Sequence, residues 1–202
     1  MDLRARRAFA AGHVAGTLGF ELDGSFASYL GWLIPWGTPL TLLGQTPEQV
    51  ARAQRELLRI GIDRPAAMAV GDPADWSGGR PLRSYPVADF TDLHQARQHR
   101  PLVVVDVRGD LEWAAAHIDG AIHLPLHELP GRLAEVPEGE VWVHCQSGYR
   151  ASMAAAILDA AGRTVVAVDD AYDRAAAAGL PTVSDRVVAD RASAMGPARQ
   201  PR

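Results

Sequence analysis

One residue of the chain offers nucleophilic chemistry by its type and its setting. Cys145 lies in V-W-V-H-C-Q-S-G-Y-R-A-S, residues 141–152, and is the sole cysteine. It can form no internal disulfide, which points to a reducing compartment, the cytoplasm, and leaves reactivity as the thiol's use. The 20 basic residues are all arginines, and neither lysine nor asparagine occurs. Schiff-base chemistry and a lysine phosphate loop are therefore excluded. His13, His94, His99, His117, His123, His127 and His144 make no H-x-H-x-D-H or zincin-like motif, so no metal or other cofactor is expected.

The elements around Cys145 decide what its thiol could do. Val141–His144 reads as a short buried strand and Ala151–Ala160 as a helix, placing the cysteine between a strand's carboxyl end and a helix start. Ligands bind at that point of parallel α/β sheets, because the helix start presents unpaired N–H groups and its positive dipole end. The thiolate is favoured there, and Arg150 adds a fixed positive charge. Gly148 lets the loop curl, so that N–H groups of Gln146, Ser147, Gly148, Tyr149 and Arg150 converge on an anion held against Cys145. A cysteine that merely fills core volume needs no glycine loop, arginine or helix start after it.

The rest of the chain alternates strands and helices. Ala88–Gln98 has helical spacing, Leu102–Val107 is a β-branched run, Asp110 caps a short helix carrying Trp113, Thr164–Val168 is a strand, and Asp170–Ala178 a helix closed by Gly179. This pattern predicts an α/β fold with a mainly parallel sheet. An internal repeat is also visible: at a shift of 104, Asp2-Leu3-Arg4 falls on Asp106-Val107-Arg108, and FAAGHVAG on WAAAHIDG. Farther on, Leu40–Leu43 falls on Val141–His144 at a shift of 101, and Gly44 on Cys145. The expected organisation is a first unit at 1–82 that lacks the cysteine and starts without its opening elements, a catalytic unit at 86–185 after a Pro/Arg/Ser connection, and a mobile tail at 186–202. A start that leaves a sheet edge uncovered favours a partner or a homodimer.

These residues resemble the rhodanese family of sulfurtransferases. The C-x-x-G-x-R loop followed by Ala151-Ser152, the DVR at Asp106–Arg108 and EWAAAHIDGAIHLPL at Glu112–Leu126 are similar to its three signature stretches, in the family's order. The resemblance implies two tandem rhodanese-like domains, the first truncated at its start and without activity. The segment Gly24–Leu43 also resembles the first of two rhodanese repeats fused behind metallo-β-lactamase-fold persulfide dioxygenases, which suggests such an enzyme as a partner. The implied reaction is attack by the Cys145 thiolate on the outer sulfur of thiosulfate or a low-molecular-weight persulfide, storage of that sulfur as a persulfide, and collection by a thiol or cyanide acceptor. In that scheme Gln146, Ser147, Gly148, Tyr149 and Arg150 bind substrate, with Arg150 clamping an anionic donor in a bidentate contact. Arg108 is either a second contact or a structural partner of Asp106 or Glu112.

His13 and His117 read as hydrogen-bonded structural residues, His144 as a side chain on the strand face away from Cys145, and Trp32 and Trp36 as packing between repeats or a docking pair. A cysteine phosphatase is disfavoured, because its cradle has five residues between cysteine and arginine and this loop has four. A sulfide-sensing or sulfur-relay module without turnover is the alternative. The net charge of −4, with no run of like charge and no apolar stretch of membrane-spanning length, gives no footprint for nucleic acid or membrane.

Overall fold

A computed structural model of the chain describes residues 1–185; the tail read at 186–202 lies outside the described residues. The first half contains α1 (Arg6–Ala11), α2 (Phe26–Leu33), β1 (Thr41–Gly44), α3 (Pro47–Leu58), β2 (Ala67–Val70) and α4 (Pro73–Trp76). The second contains β3 (Val87–Ala88), α5 (Phe90–His99), β4 (Val103–Asp106), α6 (Asp110–Ala115), β5 (His117–Ile118), β6 (Ile122–His123), β7 (Glu140–His144), α7 (Tyr149–Ala160), β8 (Thr164–Val168) and β9 (Thr182–Val183). Five strands make a wholly parallel sheet in the order β3-β8-β7-β4-β6, while β5 and β9 pair antiparallel beside it. The α/β class and mainly parallel sheet expected from the alternation are present.

The central strands lack polar alternation because both of their faces are covered. Val104, Trp142 and Val166 pack with Phe90, Leu93 and Ala96 of α5. Val105, Val141, Val143 and Val165 point the other way, into a cluster that includes Leu3, Phe9, Phe26 and Leu30 of the first half. Helix α7 lies within that second layer, and every residue from Ala151 to Asp159 is buried. A surface helix keeps a polar stripe; α7 has none, since β7 and β8 cover one side and α1 packs against it as well. Its alanine-rich sequence keeps it thin enough for that position.

Local geometry recurs between the halves. Asp2 bridges to Leu43 as Asp106 pairs with His144, and His13 bridges to Arg83 as His117 pairs with Val183. Arg4 Nη2 donates to Gly12 O and Arg108 Nη2 to Ala116 O, each at 2.7 Å. His13 and His117 each place Nδ1 3.0 Å from the carbonyl oxygen four residues earlier and stack on Phe9 and Trp113, the structural role read for them.

Several expectations are corrected. The helix expected over 170–178 is one short turn, Tyr172–Arg174, because the Tyr172 N–H donates to Gln146 O and its ring is drawn over Arg108. Helix α6 is capped by Gly109, whose N–H donates to Glu112 Oε2, and Asp110 is already its first residue. The connection at 80–86 is tied back onto the first half, with Arg83 N–H donating to His13 O and Tyr85 N–H to Ala10 O. Trp32 and Trp36 are not buried between the halves; they are 58% and 76% exposed, and Trp32 meets the second half at its edge, against His127.

His144 faces away from the thiol, as alternation requires, and is fully buried among Phe90, Tyr172, Asp106 and Arg108. Among the described residues neither ring nitrogen has a hydrogen-bond partner, and Asp106 Oδ2 is 3.7 Å away. Burial pushes its pKa down to about 4. The unfolded chain therefore binds a proton that the folded one refuses between pH ~6.5 and ~4, and stability falls as pH drops through that window by at most about 3 kcal/mol. His144→Leu is expected to shift the acid-unfolding midpoint downward while leaving stability at pH 7 unchanged or higher. Acid titration followed by circular dichroism checks this; an unshifted midpoint excludes His144 as the acid-labile group.

Candidate active site

The parallel register of Asp106 with His144 sets Val107 beside Cys145 at the carboxyl end of the sheet. Cys145 follows β7 directly and is 1% exposed. The loop turns at Gly148, whose φ of +84° is a left-handed conformation, and a Cβ there would collide with Asp169 Oδ1 and lie 2.9 Å from Asp169 Cα. Only glycine meets both conditions. The turn aims the start of α7 at the thiol, and the Ala151 N–H donates to Cys145 Sγ at 3.4 Å. The N–H groups of residues 146–150 donate to no protein acceptor among the described residues. A string of free donors around a sulfur atom can stabilise negative charge there.

The arginines behave differently from their sequence reading. Arg150 makes the bidentate contact expected of it, but with Glu112 of α6, at 2.6 and 2.7 Å. That hydrogen bonding holds the Glu112 carboxyl below its usual range and raises the Arg150 guanidinium, so both are charged and their charges largely cancel. Arg108 is 2% exposed, donates from Nε and Nη2 to Asp106, and lies 3.5 Å from the Tyr172 ring centroid. It is a structural partner of Asp106 on the far face from Val107, and the structure does not bring it to the thiol. Ser147 is exposed, Gln146 holds Tyr172 through its carbonyl, and the Tyr149 hydroxyl donates to Glu21 O at 2.7 Å. Tyr149 thereby joins the loop to the first half.

A cavity of about 200 Å³ opens beside the loop, lined by Trp32, Val107, Gly109, Glu112, Pro125, Leu126, His127 and Arg150. Trp32 comes from α2, and so does Tyr29, whose ring is 5.5 Å from that of Tyr149 and 5.2 Å from that of Trp32. Burial raises the Tyr29 phenol, with the Arg150 charge opposing. Sequence reasoning missed Tyr29, His127 and the role of Glu112 at this site. Contacts across 38 and more residues leave no periodic signal.

The equivalent place in the first half is closed. Gly44 stands at the Cys145 register position, and a Cβ on it would lie 2.8 Å from Val50 Cγ2 and 3.2 Å from Gln49 Oε1. Gln49 fills the space, accepting from the Gln45 N–H and donating to Leu3 O, both at 2.7 Å.

The fold and site together are a parallel α/β sheet with a cysteine loop at its carboxyl edge, curled by glycine onto a helix start. Residues 89–178 match the rhodanese-like domain, and this segment belongs to that family. Three curated relatives are similar over part of their length. An HTH-type transcriptional regulator of Mycobacterium tuberculosis is 38% identical over 93 residues, 45% of this chain and 41% of that protein. A putative sulfur carrier protein of Bacillus subtilis is 44% identical over 55 residues, 27% of this chain and 30% of that protein. A sulfurtransferase of Allochromatium vinosum is 38% identical over 58 residues, 28% of this chain and 54% of that protein. The chain thus spans about half or less of the length of these relatives.

Proposed function

We propose that this protein is a sulfurtransferase that carries sulfane sulfur as a persulfide on Cys145. The observation that carries this reading is the loop itself, a lone cysteine whose Sγ accepts from Ala151 N–H at 3.4 Å while the N–H groups before it have no acceptor among the described residues. The Cys145 thiolate attacks the outer sulfur of thiosulfate or a low-molecular-weight persulfide. An S–S bond to Sγ forms, the donor's own bond to that sulfur breaks, and sulfite or a thiolate departs with the electron pair. The loop donors stabilise the anionic persulfide until a thiol or cyanide acceptor takes the sulfur. We read residues 86–185 as the catalytic domain of a cytoplasmic tandem protein and residues 1–82 as a repeat whose own site is filled by Gln49.

Intact mass after incubation with each donor tests the reading. The wild-type protein is expected to gain one sulfur and lose it to acceptor, while Cys145→Ser gains none and keeps its melting temperature within a few degrees, because the buried hydroxyl can still accept from the Ala151 N–H. A Cys145→Ser protein that still turns over sulfur overturns it. A second reading, a sulfur sensor or relay working with a partner, is favoured by the 1% exposure of the thiol and by the similarity to a transcriptional regulator. A persulfide that forms but is not released to small acceptors would select it.

A further inference from the structure

The cavity beside Cys145 has walls of two kinds. Its permanently charged residues, Arg150 and Glu112, are bound to each other through both guanidinium nitrogens and both carboxylate oxygens. No formal charge is left over in that pair for a small dianion, which would be held by the loop N–H groups alone. The remaining walls are Trp32, Val107, Pro125, Leu126 and His127, with Gly109. Trp32 and His127 sit edge to face, 6.0 Å between ring centroids. Trp32 is 58% exposed although it stands at this mouth, and Tyr29 supports it edge-on from the same helix.

Resting on the sulfurtransferase reading, we infer that Trp32 and His127 form a subsite for the organic body of the sulfur donor, and that the preferred donor is the persulfide of a low-molecular-weight thiol rather than thiosulfate. The donor's carbon chain lies against the exposed surfaces of the two rings, in a near-neutral aromatic mouth that gains from contact with carbon and amide groups. Its terminal sulfur alone reaches past Arg150 to the loop. In the transfer, Cys145 Sγ bonds to the terminal sulfur, the bond between that sulfur and the donor's inner sulfur breaks, and the donor leaves as a thiolate. The proton of the donor's terminal S–H stays with the transferred sulfur, and no outside oxidant or reductant is consumed. The first half thus contributes to the reaction through α2.

The test compares kcat/KM for glutathione persulfide and for thiosulfate in wild type, Trp32→Ala and Trp32→Phe. Wild type is expected to prefer the persulfide by at least about 100-fold. Trp32→Ala is expected to lower that preference about tenfold, chiefly through KM for the persulfide, with Trp32→Phe restoring most of it, the scale at which one apolar contact discriminates substrates. Trp32 is exposed, so its truncation does not threaten the fold. Preference for thiosulfate in the wild type, or equal losses for both donors in Trp32→Ala, overturns the subsite while leaving the sulfurtransferase reading intact. Failure of both donors to add sulfur to Cys145 overturns the sulfurtransferase reading itself and the subsite with it.

Discussion

Gly148→Ala is expected to lower sulfur loading of Cys145 by at least about 100-fold, the loss that follows when a reacting group is displaced by about 1 Å. The cause is local. A side chain at φ +84° is strained by about 1–2 kcal/mol, and the new Cβ would overlap Asp169, whose carboxylate is already gripped by Arg6 Nε at 2.9 Å and Arg7 Nε at 2.7 Å. Asp169 cannot step aside without breaking two ion pairs to the first half, so the loop gives way instead. The free N–H groups then no longer converge on Sγ. Single-turnover loading followed by intact mass, with circular dichroism to show retained structure, measures the effect. Loading within about fivefold of wild type would mean the loop tolerates a different turn, which the collision with Asp169 argues against.

The second large effect is on stability. Asp159 on α7 is 4% exposed and accepts from His13 Nε2 at 3.1 Å and from Arg83 Nε and Nη2 at 2.8 and 2.6 Å, so one carboxylate holds two segments of the first half. Removing it leaves His13, itself 1% exposed, without its partner in the interior. Breaking a buried pair in this way costs about 3 kcal/mol; Arg83 is 44% exposed and recovers water, which brings the expectation for Asp159→Ala to about 2 kcal/mol. For a chain of this length that is a fall in melting temperature of roughly 4–8 °C. Because α7 also carries the end of the cysteine loop, the weakened variant is expected to load sulfur more slowly even at 25 °C. An unchanged melting temperature would show that the clamp adds nothing to the shared core.

The strand V-V-V-D and the strand E-V-W-V-H were legible because burial on both faces writes itself as an unbroken apolar run, and the loop was legible because cysteine, glycine and arginine at fixed spacing have few other uses. The site's electrostatics were not. Arg150 carried an expectation of free charge, and the partner that cancels it lies 38 residues earlier. Arg108 could be read two ways in sequence, and the packing of Tyr172 over its guanidinium places it with the structural pair. The short turn at Tyr172–Arg174 was misread as a helix because alanines there have high helix propensity, which the hydrogen bond to Gln146 overrides.

By itself the sequence determined the fold class and the position of Cys145 between strand and helix, since each of these depends on local spacing and periodicity. Tertiary structure alone decided that α7 is buried from Ala151 to Asp159, that Glu112 neutralises Arg150, that Gln49 fills the space beside Gly44, and that Trp32, backed by Tyr29, stands at the cavity beside the cysteine loop. The physical reason is the same in each case: charge cancellation, exclusion of water and the shape of a cavity are set by which distant side chains meet, and nothing in the spacing of neighbours encodes that meeting.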